Sequence, residues 1–230
     1  MRFSRWDANG NVYLLAERAE LTPERVRAEV GGADGIVEVV AVDGRMVQVV
    51  IWNADGSIAE LSGNGTRIAA AWLAERTGAA EVVVRVGPRE VHARLLGGGL
   101  VEQDLGPVEV GELESVDGIE FTPVSVGNQH AVVVGDPDDL SRLGPLLETH
   151  PRFPERTNVQ VARVDGPGEV TARVWERGVG ETASSGTSAV AVAAATHGDG
   201  DVVVHFPGGD LRVRLAGGRA WLTGPATRVE

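Results

Sequence analysis

The chain has 230 residues, a hydrophobic content of 43% and a formal net charge of −12, values typical of a globular protein with one large domain or two small ones. It contains no Cys, and all 21 basic residues are Arg. This composition excludes disulfides, thiolate metal sites, lysine-based phosphate loops and the Schiff base that holds pyridoxal phosphate. The negative charge, with no run of basic residues, argues against a nucleic-acid or anionic-membrane surface.

The sequence shows no sign of a metal centre or a membrane segment. The His residues are scattered without the spacing of paired metal ligands; they are His92, His130, His150, His197 and His205. Residues 1–7 contain no apolar core of signal-peptide length, and no later segment reaches the roughly 20 apolar residues that a membrane span needs. We therefore expect a soluble, cytoplasmic protein with no metal, no membrane partner and no nucleic-acid partner.

The first half of the chain predicts a mostly antiparallel sheet around one Ala-rich helix. The polar stretch at residues 7–11 predicts a turn before a strand at 12–15, and Thr22-Pro23-Glu24 predicts a helix start. Asp43-Gly44 is typical of a hairpin, here between strands at 35–42 and 46–52. Further strands are predicted at 81–86, 90–96 and 100–105.

A polar loop at residues 111–115 marks the predicted boundary between an N-terminal half, 1–115, and a C-terminal half, 116–220, with residues 221–230 returning to the first half. The second half repeats the plan of the first. Strands flank the polar turn at Gly127-Asn128, and Asp136-Pro137 predicts the start of a helix that ends near Glu148. Later strands are predicted at 157–161, 170–178, 202–206 and 211–215.

Two segments share one pattern and lie about half the chain apart. Residues 60–67, Glu-Leu-Ser-Gly-Asn-Gly-Thr-Arg, precede an Ala-rich run, and residues 181–188, Glu-Thr-Ala-Ser-Ser-Gly-Thr-Ser, precede another. In each, a Ser-Gly step leads into a helix-forming run, which exposes backbone N–H groups at a helix N-terminus where an anion can bind. Each copy alone is also typical of an ordinary capped and buried helix. Their repetition favours a duplicated architecture with a functional helix end in each half.

The two segments and a set of shorter motifs resemble the diaminopimelate epimerase family. Asn53-Ala54-Asp55-Gly56-Ser57 precedes the first Ser-Gly segment, and Glu176-Arg177-Gly178-Val179-Gly180 precedes the second. Supporting matches extend over almost the whole chain; they are Gly10-Asn11, Gly32-Ala33-Asp34-Gly35, Gly127-Asn128-Gln129-His130, Phe153-Pro154, Thr157-Asn158-Val159, Pro207-Gly208-Gly209 and Thr223-Gly224-Pro225-Ala226. The ordered set is specific, although no single motif is.

The resemblance implies a cofactor-free amino-acid epimerase with two pseudo-symmetric α/β halves, each a mostly antiparallel sheet around a central helix, and an active site in the cleft between them. It also implies a homodimer that acts on a small amino-acid substrate. In this family each motif helix begins with a catalytic Cys, one removing the Cα proton and the other delivering a proton to the opposite face. Ser62 and Ser185 occupy those positions here.

The exchange of thiol for hydroxyl is large in free-energy terms. A free thiol has a pKa of about 8.5, whereas an alcohol lies nearer to water, at about 15.7. A gap of roughly seven units corresponds to as much as ~10 kcal/mol, so a serine needs a neighbouring base. By the resemblance, His130 or Glu176 can supply that base. For each there is a structural alternative, a histidine beside a turn and a carboxylate paired with Arg177.

The substrate-binding residues of the family are retained. The resemblance assigns Asn53, Asn128, Asn158 and Arg177 to the end of the substrate that does not react, and Asn11 joins the predicted binding set. The backbone N–H groups at Gly63, Asn64, Gly186 and Thr187 are predicted to hold the reacting α-carboxylate. Each Asn alone also fits ordinary turn chemistry.

Three interpretations stay open on the sequence. The first is an epimerase-like isomerase, either an engineered inactive form or a natural serine variant with weak or altered chemistry, such as racemisation of another amino acid or dehydration. The second is a non-catalytic amino-acid-binding protein. The third, a serine hydrolase, is disfavoured because residues 180–186 do not form a G-x-S-x-G motif and no Ser-His-Asp set is visible.

Overall fold

A computed structural model describes residues 3–229, so Met1, Arg2 and Glu230, which fall within the predicted halves, lie outside the described residues. The chain divides into two compact units. One contains the chain up to Asp104 and resumes at Thr223, and the other is Leu105–Leu222. The loop at residues 111–115 lies inside the second unit. Both units are mixed α+β structures, as the sequence predicted.

The elements in chain order are β1 (Phe3–Ala8), β2 (Asn11–Glu17), α1 (Pro23–Glu29), β3 (Gly35–Asp43), β4 (Met46–Asn53), α2 (Gly63–Thr77), β5 (Glu81–Val86), β6 (Arg89–Gly97), β7 (Leu100–Pro107), β8 (Glu109–Val110), β9 (Glu114–Val116), β10 (Ile119–Ser125), β11 (Gln129–Val134), a 3₁₀ turn (Pro137–Asp139), α3 (Leu140–Glu148), β12 (Asn158–Gly166), β13 (Glu169–Glu176), β14 (Gly180–Thr182), α4 (Gly186–Thr196), β15 (Gly200–Phe206), β16 (Gly209–Ala216), β17 (Arg219–Pro225) and β18 (Thr227–Arg228).

The first unit is a mostly antiparallel sheet around α2. The pairs β1–β2, β3–β4, β5–β6 and β1–β18 are antiparallel, whereas β2–β3 and β4–β5 are parallel. Every residue of α2 from Gly63 to Leu73 is buried, and the helix packs against β1 to β6. The Ala run lies in this fully buried part of the helix, which has no solvent-facing side. On the other side, α1 packs Val26 and Val30 against Ile36 and Trp52.

The second unit repeats this plan around α4. Strands β10–β11, β12–β13 and β15–β16 are antiparallel pairs, and β11–β12 and β13–β15 are parallel. Helix α4 is buried from Gly186 to Ala193 and contacts β10 to β13, β15 and β16. Helix α3 covers the outer face with Leu140, Leu143 and Leu147, which pack against Phe121 and Phe153. The duplicated architecture predicted from the two Ser-Gly segments is confirmed.

The turn predicted at residues 7–11 is confirmed. It joins two strands, because β1, which was not predicted, precedes it and pairs with β2 as a hairpin. Its turn consists of Asn9 and Gly10, whose φ angles are 62° and 81°, and such angles favour these two residue types. The helix expected from Asp136-Pro137 begins as the 3₁₀ turn, capped by the Asp136 side chain, and becomes α-helical only at Leu140.

Candidate functional site

The N-terminus of α2 is formed by the first Ser-Gly segment. Ser62 is extended, with φ −133° and ψ 117°, and its hydroxyl accepts a hydrogen bond from the Gly65 N–H at 3.1 Å. The preceding amides of the first turn, at Gly63 and Asn64, have no intrahelical partner by helix geometry. A Cβ at Gly65 would lie 2.8 Å from Ile51 Cδ1, so a larger residue there would require the Ile51 side chain to shift. The first turn of α2 contains no acidic side chain.

Buried polar groups hold this turn from behind. The Arg67 guanidinium is fully buried and donates to Gly63 O at 3.1 Å, Asn64 Oδ1 at 2.7 Å and Pro225 O at 3.2 Å. Gln103 on β7 is also fully buried. The Gln103 amide is oriented so that both its nitrogen and its oxygen have partners. The nitrogen donates to Gly63 O at 3.0 Å, and the oxygen accepts from the backbone N–H of Arg67 at 3.1 Å and from Thr66 Oγ1 at 2.6 Å. The backbone of the turn is therefore fixed.

The N-terminus of α4 has the same backbone form but a different serine environment. Ser185 is extended, with φ −146° and ψ 130°, and its side chain makes no capping hydrogen bond. It is 6% exposed, and its carbonyl accepts from the Ala189 N–H at 2.9 Å. Thr187 Oγ1 accepts from Asn128 Nδ2 at 3.3 Å. The first turn of α4 also contains no acidic side chain.

His130 lies behind Asn128 in a hydrogen-bonded chain. Its Nε2 lies 3.0 Å from Asn128 Oδ1 and its Nδ1 lies 3.0 Å from Gln160 Nε2, which also donates to Ser188 Oγ at 2.9 Å. Because an amide oxygen only accepts and an amide nitrogen only donates, the imidazole is protonated at Nε2 and unprotonated at Nδ1. His130 is 1% exposed, and burial lowers its pKa to about 3, so the ring is neutral.

Asn158 and Arg177 meet at the start of β12. Asn158 donates from Nδ2 to Gln129 O at 2.9 Å and accepts the Arg177 N–H at Oδ1 at 3.0 Å. The buried carboxylate of Glu148 binds the next residue of the turn, accepting from the Gly178 N–H at 2.8 Å. The Arg177 guanidinium is exposed and contacts Glu155 O at 3.4 Å. Asn158 therefore positions the backbone that carries Arg177.

The other predicted residues are held by local turns. Glu176, at the end of β13, accepts from Thr182 Oγ1 at 2.6 Å and is half-buried. Asn53 donates to Ser57 Oγ at 2.9 Å, in a turn whose Asp55 carboxyl has a lowered pKa because it accepts from the Ser57 hydroxyl and N–H. Asn11 is buried at the start of β2, directly after the hairpin turn.

The structure thus brings the predicted residues together in groups. Ser62, Gly63 and Asn64 share the start of α2. In the second unit, hydrogen bonds join Asn128 to His130 and Thr187, and Asn158 to Arg177. Sequence reasoning missed the buried polar residues behind both helix ends, Arg67, Gln103, Gln160 and Ser188. The sequence held one signal of such buried polar residues, namely the single amide of Gln160 between Val159 and Val161. A polar residue on the inner face of a strand needs a hydrogen-bond partner.

Among residues 3–229, no group of three or more His, Asp or Glu side chains is placed to hold a metal ion. None of the helices described there is long and apolar enough to cross a membrane.

The sequence profile that matches this chain and the two related sequences compared with it are those of diaminopimelate epimerases. The sequence profile of diaminopimelate epimerase matches residues 9–110 and 122–229. The chain is 35% identical over 254 residues to the diaminopimelate epimerase of Methanothermobacter thermautotrophicus, covering 92% of this chain and 89% of the relative. It is 35% identical over 271 residues to that of Synechococcus elongatus, covering 100% and 96%.

Solved structures show the same fold at low sequence identity. A predicted epimerase from Pseudomonas aeruginosa superposes with a TM-score of 0.81 at 17% identity, covering 100% of this chain and 97% of that one. A hydroxyproline epimerase from Agrobacterium vitis, with bound trans-4-hydroxy-L-proline, gives 0.68 at 17% identity, covering 98% and 88%. These similarities place both units within one known architecture.

Proposed function

The chain belongs to the diaminopimelate epimerase family, and from this premise we propose that it binds diaminopimelate and interconverts the LL and meso forms without a cofactor. The observation that carries the proposal is the shared form of the two helix ends. Each begins with an extended Ser followed by Gly, and neither has an acidic side chain in its first turn. Such ends are suited to a carboxylate and to the negative charge that develops when a Cα proton leaves.

The binding set of the proposal consists of backbone and side-chain donors. The amides at Gly63, Asn64, Gly186 and Thr187 bind the α-carboxylate, and Asn11, Asn53, Asn128, Asn158 and Arg177 bind the rest of the substrate. The orientation of Asn128 supports its role, because its oxygen faces His130 and its nitrogen faces Thr187. A donor held in this way is suited to a carboxylate oxygen.

Proton transfer is proposed to involve Ser62 and Ser185. One hydroxyl accepts the Cα proton while its own proton passes to a neighbouring base, and the other donates its proton to the opposite face of Cα and is reprotonated from water. A serine accepts a proton only if a base takes its own. His130 is a poor candidate for that base, because both ring nitrogens are engaged and burial lowers its pKa to about 3. We assign the base to Glu176 and a positioning role to His130.

The test is exchange of the Cα proton of LL- and meso-diaminopimelate in D₂O, followed by NMR. We expect slow deuterium incorporation with the parent protein. The double variant Ser62→Cys/Ser185→Cys should exchange faster by several orders of magnitude, because the thiol pKa is roughly seven units lower. Ser62→Ala/Ser185→Ala is the matched control and should not exceed buffer.

The outcomes separate the candidate functions. Exchange by the parent that survives in the alanine pair would remove the serines from the mechanism. If neither the parent nor the cysteine pair exchanges, diaminopimelate is not the substrate, and racemisation or dehydration of another amino acid becomes the function to test.

A second candidate, an amino-acid-binding protein without turnover, is favoured by one observation. The Ser62 hydroxyl already accepts the Gly65 N–H as a helix cap, which reduces its capacity to accept a proton. In that case calorimetry detects diaminopimelate binding to the parent, while only the cysteine pair exchanges. A homodimer is proposed on the family resemblance, and sedimentation velocity tests it.

A further inference from the structure

Arg67 is a buried cation without a buried anion. Its side chain is fully buried, and its three hydrogen-bond acceptors are neutral, namely two backbone carbonyls and the amide of Asn64. Among residues 3–229, no carboxylate lies within ion-pairing distance of its guanidinium. The arginines of the ion pairs are instead at least one-quarter exposed at their side chains.

An unbalanced buried charge is costly, and neutral acceptors recover only part of its hydration. Burial lowers the pKa of Arg67 to about 10, which still leaves it charged at neutral pH. A chain that needed only a brace for this turn could use a neutral donor, as it does with Gln103 on the same carbonyl of Gly63. The charge itself therefore calls for an explanation.

The position of the Arg67 charge supplies an explanation. The guanidinium donates to Gly63 O and to Asn64 Oδ1. These two residues carry the first backbone amides of α2. This helix end is already positive by its dipole, and its first turn holds no acidic side chain. The positive end of the helix dipole and the positive charge of Arg67 therefore lie together, and no carboxylate among the described residues forms an ion pair with Arg67. The equivalent position in α4 is Val190, so the second helix end lacks this charge.

We propose that Arg67 is a positioning residue for the substrate carboxylate at the start of α2, acting through the first turn of the helix with its uncompensated charge. The inference rests on the proposed function, because it assigns the anion to the carboxylate of the amino-acid substrate. It also makes the two helix ends unequal, so that the α2 end holds the carboxylate more strongly than the α4 end.

The first test compares Arg67→Met with Arg67→Lys. Calorimetric titration with meso-diaminopimelate should show a loss of affinity of roughly tenfold for Met, which removes the charge, and a loss of less than about threefold for Lys, which keeps it. In exchange kinetics of the cysteine pair, the same Met substitution should raise KM more than it lowers kcat. Arg76→Met, at the exposed far end of α2, is the matched control and should bind like the parent.

The second test neutralises Arg67 without changing it. Asn64→Asp places a carboxylate where Asn64 Oδ1 now lies 2.7 Å from Arg67 Nη2. We expect the melting temperature to be unchanged or higher and the affinity for diaminopimelate to fall by roughly tenfold. Asn64→Ala, which removes the amide without adding charge, should lose less affinity than Asn64→Asp.

Several results overturn the inference. Parent-like affinity in Arg67→Met and Asn64→Asp makes Arg67 a structural brace, and equal losses in Asn64→Ala and Asn64→Asp assign the effect to the amide. If the parent does not bind diaminopimelate, the proposed function fails separately. Sodium sulfate then serves as the probe at an ionic strength matched with chloride. The inference holds if sulfate raises the melting temperature more in the parent than in Asn64→Asp, and falls if the rises are equal.

Discussion

Single side chains differ between the two helix ends in ways that bear on chemistry. The Ser62 hydroxyl caps its helix, whereas the Ser185 hydroxyl makes no capping bond. Losing an N-cap costs about 1 kcal/mol, so a Ser62 oxygen that takes part in proton transfer must give up a stabilising contact. Ser185 carries no such cost. The proposed proton transfer therefore disrupts a helix cap at Ser62 but not at Ser185.

The histidines predict a pH dependence of folding stability. Burial lowers the pKa of His130 to about 3, whereas an unfolded histidine titrates near 6.5. As the pH falls below about 6.5, the unfolded chain binds a proton that the folded chain refuses, so stability decreases toward pH 3. The slope reaches at most ~1.4 kcal/mol per pH unit. Urea unfolding between pH 4 and 7 should show a shallower slope for His130→Gln than for the parent.

His205 provides a contrast of opposite sign. Its hydrogen bond to Asp210, together with that to Glu169, raises its pKa. Its stabilising contribution is present below the unfolded pKa and disappears as the pH rises through the folded one. His205→Gln should therefore lower the free energy of unfolding at pH 6 and leave it unchanged at pH 9.

For His130→Gln, a slope of stability against pH that equals that of the parent between pH 4 and 7 would contradict the assignment of this slope to His130.

At the scale of elements, α3 fixes the end of β13 and the turn after it. Gly144 faces Trp175, and a Cβ at this glycine would lie 2.8 Å from Trp175 Cβ and Cγ. The Trp175 indole donates to Glu148 at 2.7 Å, and the same carboxylate binds the Gly178 N–H. The close approach of helix and strand thus sets the turn that carries Glu176 and Arg177.

Gly144→Ala should disturb this contact. The added methyl meets the inner part of the indole side chain, which cannot move freely, so we expect a loss of about 1–3 kcal/mol in the free energy of unfolding. Urea denaturation measures it, with Ser141→Ala on the exposed side of α3 as the control. The same variant should weaken diaminopimelate binding, because the Arg177 turn shifts. A loss no larger than that of the control would show that the contact relaxes freely.

At the scale of the whole molecule, the chain leaves the first unit and returns to it at the end. Strand β18 pairs with β1 through Trp6 and Asp7, and the Val229 N–H donates to Arg5 O at 2.9 Å. The Ala226 N–H donates to Gly99 O at 2.8 Å. Trp6, which is fully buried, is the strand partner of Arg228. The sheet of the first unit is therefore completed only when the C-terminal segment is made.

Truncation after Pro225 should lower the stability of the first unit. It removes the β18 pairing and the bond from Ala226 while leaving Pro225 O in place for Arg67. We expect a lower melting temperature by calorimetry and faster hydrogen exchange in β1. Truncation after Arg228 keeps the pairing and is the control. Identical melting of both forms would show that β18 contributes nothing to the unit.

Much of this architecture follows from local sequence. Ser62-Gly63 begins a helix because the Ser62 side chain caps it, and Asp43-Gly44 forms a hairpin turn, since both depend on neighbouring residues. Ser185-Gly186 begins a helix with the same extended backbone but without a side-chain cap. The first strand escaped sequence reasoning because Phe3 to Trp6 buries few side chains and has little apolar pattern. Whether His130 can act as a base depends on its burial and on its hydrogen bonds to Asn128 and Gln160, which the motif around His130 does not reveal.

The sequence by itself determined the order of the helices and of most of the long strands, the duplication, the family and the exclusion of lysine and thiol chemistry. The tertiary structure alone decided what lies behind the helix ends. Arg67 meets Pro225 across 158 positions, and His130 meets Gln160 only because β11 and β12 pair in parallel with His130 opposite Asn158 and Val132 opposite Gln160. The physical reason is that a strand register shifted by one residue turns each side chain to the other face, so such partners depend on the global pairing and not on local preference.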